Sequence, residues 1–83
     1  MKLAKYTKFR EEKFGGVLFE TRSEKVYSLN PTAAAVVREI VPGANERDIV
    51  ERVKARFIDD GGAIEAEVLA YLADLRQKGL LED

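Results

Sequence analysis

The first third of the chain contains three short segments with strand-forming residues, separated by polar or glycine-containing links. The segments cover residues 6–12, 16–20 and 25–29, and they are rich in the aromatic and β-branched residues that favour strands. The glycine pair at residues 15–16 marks a turn, and the polar residues 21–24 have the length of a common hairpin connection. These features predict a three-stranded antiparallel sheet in which the first and third strands are both edges.

The spacing of apolar residues changes after the third strand and predicts three helices. The helices cover about residues 31–41, 46–58 and 64–78, where apolar side chains recur at intervals of three and four residues. Asn30 and Pro31 are a strong start signal, because Asn is a favoured N-cap and Pro fits the first helical position. The predicted fold class is α+β, a three-stranded antiparallel sheet followed by three helices.

Residues 59–62 (DDGG) are expected to form a loop between the last two helices. Acidic loops with glycine occur in calcium sites, but an EF-hand needs a distal glutamate in a fixed register. Glu65 and Glu67 come too early for that register, so we predict a loop without a metal. After the last helix, Leu80 and Leu81 are expected to fold back and close the core.

The composition narrows the classes of function. The chain has 83 residues, which suits a single domain over residues 1–83, and it contains neither cysteine nor histidine. A disulfide, a thiolate or imidazole ligand, a histidine base and a cysteine nucleophile are therefore excluded. The formal charge of -1 gives no general attraction to nucleic acids or anionic membranes. With no signal peptide and no stretch approaching roughly 20 apolar residues, a cytoplasmic location is expected.

The third predicted strand, Lys25–Leu29, leads directly into the first helix, so the strand and the helix are held against each other. An edge strand offers unpaired backbone N–H and C=O groups, to which an extended peptide can bind as an added strand. The plainer interpretation is that Lys25 and Arg22 protect an ordinary edge from aggregation. The strand pattern by itself favours this plainer interpretation.

Several segments, taken in order, resemble the PqqD family over nearly the whole chain. The segments are the glycine-marked strand pair, Leu29 and Asn30, residues 32–37 (TAAAVV), residues 48–50 (DIV), Val68, Leu69, Tyr71, Leu72, Leu75 and residues 79–81 (GLL). The resemblance depends on the order and spacing of these segments. It implies a RiPP recognition element, which is a small domain with a winged helix-turn-helix-like fold.

A RiPP recognition element binds the leader segment of a ribosomally synthesised precursor peptide and presents it to a modifying enzyme, often a radical SAM protein in this family. The resemblance therefore implies a stand-alone, non-catalytic peptide chaperone in natural product biosynthesis. No cofactor, nucleic acid or membrane is expected as a partner. A monomer or a weak dimer is expected, because exposed strand edges allow strand exchange between copies.

In the family the leader peptide adds as a strand beside the third strand and packs against the third helix. Transferred to this sequence, the resemblance implies a peptide-contacting strand composed of Lys25, Val26, Tyr27, Ser28 and Leu29. On the helix it implies Leu69, Leu72 and Arg76, with Tyr71 on the opposite flank of the apolar stripe as the second choice. Flank positions such as Leu69 and Tyr71 are also common margins of a core, so both interpretations stay open.

A winged-helix regulator that binds DNA is the alternative, because many transcription factors share the expected fold. A recognition helix places basic or amide side chains at base edges and phosphates. The third predicted helix instead begins with Glu65 and Glu67, and its basic residues Arg76 and Lys78 come only at its end. An enzyme is the third possibility, but no acid–base pair can be identified and a short chain has little room for a deep pocket.

Overall fold

The computed structural model describes residues 1–57 and 61–82, which form five strands and three helices. The strands are β1 (Lys2–Leu3), β2 (Thr7–Glu12), β3 (Gly15–Glu20), β4 (Lys25–Leu29) and β5 (Leu81–Glu82). The helices are α1 (Pro31–Ile40), α2 (Glu46–Arg56) and α3 (Ala63–Gln77). The third predicted strand therefore coincides with β4. The predicted end of the second helix at residue 58 and the first half of the predicted loop 59–62 lie outside the described residues.

Strands β2, β3 and β4 form an antiparallel sheet in that order, so β3 is central and β2 and β4 are its edges. The strands are followed by the three helices, and the predicted α+β fold class is confirmed. The register places Phe9, Leu18 and Tyr27 side by side on one face, and this face packs against the helices. The opposite face carries Lys8, Phe19 and Val26 in one row.

The core lies between the inner face of the sheet and the three helices. Its fully buried side chains are Leu18, Val36, Val37, Ile40, Ile49, Val53, Val68, Leu72, Leu75 and Leu80. Those on the helices recur at the helical spacing that the sequence shows, because each amphipathic helix turns one apolar stripe inward. Leu80 folds back into the core as predicted, whereas Leu81 is half-buried.

The junction between β4 and α1 is built by local signals. The side chain of Asn30 caps α1, since its Oδ1 accepts a hydrogen bond from the backbone N–H of Ala33 at 2.8 Å. Pro31 occupies the first turn, where no backbone donor is needed. Gly15 lies against the end of β4: its φ is +144°, and a Cβ atom there would lie 2.1 Å from the carbonyl oxygen of Leu29. Glycine is required at this close approach.

A second, two-stranded sheet joins β1 to β5 and was not predicted. Its antiparallel register pairs Lys2 with Glu82 and Leu3 with Leu81, and the backbone N–H of Ala4 donates to the carbonyl of Leu80 at 2.9 Å. Two-residue strands contain too few positions for a periodic pattern, so sequence periodicity could not reveal them. This small sheet brings the segment before β2 next to the end of α3. Within the described residues, no helix has the length and apolar content needed to cross a bilayer.

Candidate functional site

The outer edge of β4 is free in the described part of the chain. β4 pairs only with β3 there, so one row of its backbone N–H and C=O groups has no strand partner. The side chain of Val26 is 57% exposed, and Lys25 and Ser28 are exposed as well. Tyr27 is half-buried and Leu29 is buried, because both face the helices. The side chain of Leu29 is therefore not available at this edge.

A groove runs between β4 and α3. It consists of two adjoining depressions of about 300 Å³ and 200 Å³ that share Ser28, Leu29 and Tyr71 in their walls. We call it the β4–α3 groove, and its border is formed by Val26, Ser28, Asn30, Glu67, Tyr71 and Lys78. The free edge of β4 and the groove are therefore parts of one surface.

The groove identifies the flank of α3 that faces β4. Glu67, Tyr71 and Lys78 are separated by four and seven residues, which places them on one side of the helix. Leu69 and Arg76 are also seven residues apart, but their positions are about half a turn away from this side. Neither residue lines the groove. Tyr71, the second choice from the sequence, is thus the flank residue next to β4.

The two preferred helix residues Leu69 and Arg76 lie on the flank of α3 that faces away from β4. Arg76 points toward α2, where its Nη1 lies 3.3 Å from Oε1 of Glu46. Leu69 is 40% exposed on the same far flank. Sequence periodicity locates the apolar stripe of a helix, but it does not say which margin of the stripe faces a strand that is distant along the chain.

Leu72, the third preferred helix residue, lies inside the core. Its side chain is 0% exposed and belongs to the core. The side chain therefore supports the groove from below and is not available to a bound peptide. The sequence pattern contained this information, because Leu72 lies at the centre of the stripe that Val68 and Leu75 define.

The hydroxyl group of Tyr71 is the distinctive polar feature of the groove wall. It is buried and has no hydrogen-bond partner among the described residues. Burial raises the pKa of Tyr71 well above its ordinary value, and the negative charge of Asp74 adds to the effect. The phenol therefore stays protonated at neutral pH and can donate a hydrogen bond. A buried hydroxyl without a partner costs about 1–3 kcal/mol, so a ligand that supplies an acceptor is favoured.

Two of the four basic residues of α2 form ion pairs with α1. Glu39 lies between two of them, with Oε1 at 3.5 Å from Nη1 of Arg52 and Oε2 at 3.2 Å from Nη2 of Arg56. The carboxylate is mostly shielded from solvent, and it neutralises part of the charge that a DNA-binding surface would need. The first turn of α3 presents the exposed acid Glu65.

Comparison with known proteins identifies a family for this chain. A profile of the family described as Coenzyme PQQ synthesis protein D (PqqD) matches residues 15–81. No match was found among curated proteins.

Two solved structures share the fold. The structure of TbiB1 in complex with the TbiA(beta) leader peptide has a TM-score of 0.85 and 21% sequence identity, covering 99% of this chain and 95% of that one. Lasso peptide synthetase B1 complexed with the leader peptide has a TM-score of 0.80 and 22% identity, covering 99% of this chain and 96% of that one. Because the family profile spans most of the sequence, the chain belongs to the PqqD family.

Proposed function

We propose that this protein is a peptide-binding adaptor that captures the leader segment of a ribosomally synthesised precursor peptide and presents it to a modifying enzyme. The observation that carries the proposal is the free edge of β4 beside the β4–α3 groove. Both similar structures are described as complexes with a leader peptide, which supports a peptide as the ligand class. Membership of the PqqD family supports the same class.

Strand addition explains how such a surface binds a peptide. The free backbone groups of β4 hydrogen-bond to the backbone of an extended peptide whatever its sequence, which provides affinity. Alternate side chains of the added strand point to opposite faces, so every second one enters the groove beside Tyr71. Selectivity then depends on the fit of these side chains and on a peptide acceptor for the Tyr71 hydroxyl.

The adaptor role follows from what a small binding domain can do for an enzyme. Holding the leader near an active site raises the effective concentration of the segment to be modified, without any chemistry by the adaptor. The protein has no histidine or cysteine, and we propose that it contributes binding only. The resemblance to the PqqD family implies a radical SAM protein as the modifying enzyme, so this class of enzyme is the first to test. Co-purification with the enzyme encoded beside its gene would identify the partner.

An amide NMR titration of the labelled protein tests the binding site directly. The ligand is the leader peptide encoded beside its gene, and a DNA duplex at the same ionic strength is the control. We expect shifts at Lys25–Leu29 and at the flank formed by Glu67, Tyr71 and Lys78, with none at Leu69. Shifts caused by DNA alone and located on α2 and α3 would overturn the proposal in favour of a DNA-binding regulator.

A further inference from the structure

A polar cleft of about 540 Å³ opens beside the first residue of β4. Three segments that are distant in sequence meet there: the segment before β2, the turn between β3 and β4, and the end of α3. The cleft shares Tyr27 and Lys78 with the β4–α3 groove, so the two are continuous. We call it the basic cleft, for the side chains described next.

Basic side chains outnumber acidic ones around the basic cleft. The four basic residues that line it are Lys5, Arg22, Lys25 and Lys78, and the two acidic ones are Glu20 and Glu82. Both acids already have partners within the protein. Glu20 accepts from the backbone N–H of Ser23 at 2.7 Å and of Arg22 at 3.2 Å, and Glu82 accepts from the backbone N–H of Lys5 at 3.0 Å.

Hydrogen bonds from Ser23 lower the pKa of Glu20, since they stabilise its ionised form. Its carboxylate is therefore fixed at the turn as a local acceptor. The positive balance of the cleft comes from its four basic residues, which outnumber the two acids in the lining.

The basic groups differ in how firmly they are held. The guanidinium of Arg22 lies 4.8 Å from the ring centre of Tyr6, which orients it over the cleft. Lys78 binds Oδ2 of Asp74 at 2.6 Å. Lys25 forms no ion pair with a described residue. Arg22 and Lys25 are therefore the cations best placed to receive a new anionic partner.

The wall of the cleft also contains an unsatisfied hydroxyl group. Thr7 is only 6% exposed, and its Oγ1 has no hydrogen-bond partner among the described residues. Thr7 lines the cleft from the start of β2. Buried hydroxyls normally have a partner, so this one indicates that an acceptor belongs in the cleft.

We propose that the basic cleft binds the carboxylate of an aspartate or glutamate in the same peptide that occupies the β4–α3 groove. The inference rests on the proposed function, because a strand added along β4 passes the cleft at Lys25. Arg22 and Lys25 supply charge-assisted hydrogen bonds to the carboxylate, and the Thr7 hydroxyl donates another. The cleft thus fixes the register of the peptide, which backbone pairing by itself leaves free.

The test is a selection of random short peptides displayed against the whole protein, followed by affinity measurements. Each enriched peptide is compared with its analogue in which Asp is replaced by Asn, or Glu by Gln. We expect one acidic position in fixed register and a loss of about tenfold in affinity for the amide analogue, as for hydrogen bonds to charged groups. Free inorganic phosphate, added at constant ionic strength, should weaken binding of the acidic peptide and leave binding of the amide analogue unchanged.

Protein variants, measured with both the acidic peptide and its amide analogue, complete a double-mutant cycle. Arg22→Gln should reduce the affinity for the acidic peptide about tenfold and leave the affinity for the amide analogue unchanged. Arg47→Gln on exposed α2 removes one positive charge far from the cleft and should change neither affinity.

Peptides that bind without an acidic preference would overturn this inference and leave the proposed function intact. If no peptide binds at all, both fail. Phosphate binding that is lost in Arg22→Gln, together with equal affinities for the acidic and amide peptides, would also overturn it, because the cleft would then be a site for a free anion.

Discussion

The two edges of the three-stranded sheet differ in their side chains and in their neighbours. Four of the six residues of β2 are charged, whereas β4 has one charged residue among five. On β2, Glu11 pairs with Arg38 of α1, and Arg10 pairs with Glu12. β4 instead borders a groove with an aromatic wall. Charged edges discourage pairing with other strands, so the contrast shows how one sheet protects one edge and leaves the other open to a ligand.

The largest effect is expected for a substitution at Gly15, where the backbone lies against the end of β4. Gly15→Ala places a methyl group 2.1 Å from the carbonyl oxygen of Leu29, at a φ that alanine rarely adopts. We expect the free energy of unfolding to fall by about 3 kcal/mol or more in urea titrations. Gly43→Ala is the matched control, because its φ is also positive but no atom lies within 4 Å, and about 1 kcal/mol is expected. Equal losses would mean that the contact with β4 is unimportant.

A proline placed in each edge strand tests whether the two edges differ in peptide binding. Val26→Pro removes a backbone donor and distorts β4, so the affinity for the leader peptide should fall by about 100-fold. Glu11→Pro makes the corresponding change on β2, because the alternation that starts at the hydrogen bond from Thr21 N–H to the Tyr6 carbonyl turns the N–H of Glu11 away from β3. The affinity of that variant should stay within about twofold, since β2 is not expected to contact the peptide. Thermal unfolding establishes which variants are folded before their affinities are compared.

Loss of binding in both proline variants would mean that the sheet as a whole is required. Full binding by folded Val26→Pro would place the site elsewhere.

Substitutions on the two flanks of α3 should have smaller effects, but they show which flank contacts the peptide. Tyr71→Phe keeps the ring in the groove and removes the unpartnered hydroxyl, so stability should be unchanged or slightly higher while peptide affinity falls about fivefold. Leu69→Asp changes an exposed residue on the other flank and should leave affinity within about twofold. Fluorescence anisotropy with a labelled leader peptide measures both. If Leu69→Asp weakened binding more than Tyr71→Phe, the peptide would contact the flank of α3 that carries Leu69, as predicted from the sequence.

Local signals made β4 and its junction with α1 predictable from the sequence. The alternation of Tyr27 and Leu29, the Asn30 cap and Pro31 all act within a few residues, and the structure shows the strand and the cap as expected. The flank of α3 was less predictable, because Leu69 and Tyr71 lie on either margin of one stripe. Only packing against β4, which is about 40 residues earlier in the chain, distinguishes them.

The basic cleft could not be predicted for a related reason. Its cations come from three separate segments, so no single stretch of the sequence contains them all. The segments meet because β1 pairs with β5, and strands of two residues leave no periodic pattern. A site formed by such long-range contacts becomes visible only in the folded structure.

The smallest expected effect concerns the buried hydroxyl of Thr7, where β2 meets the basic cleft. Thr7→Val keeps the shape of the side chain and breaks no hydrogen bond to a described residue, so the free energy of unfolding should rise by up to about 1 kcal/mol. Thr21→Val is the matched control, because the Thr21 hydroxyl donates to the Tyr6 carbonyl at 3.2 Å and its removal should cost about 0.5 kcal/mol. Urea unfolding should therefore give changes of opposite sign. A loss of stability in Thr7→Val would mean that the hydroxyl stabilises the free protein, and its use by an acidic peptide would then require breaking that interaction.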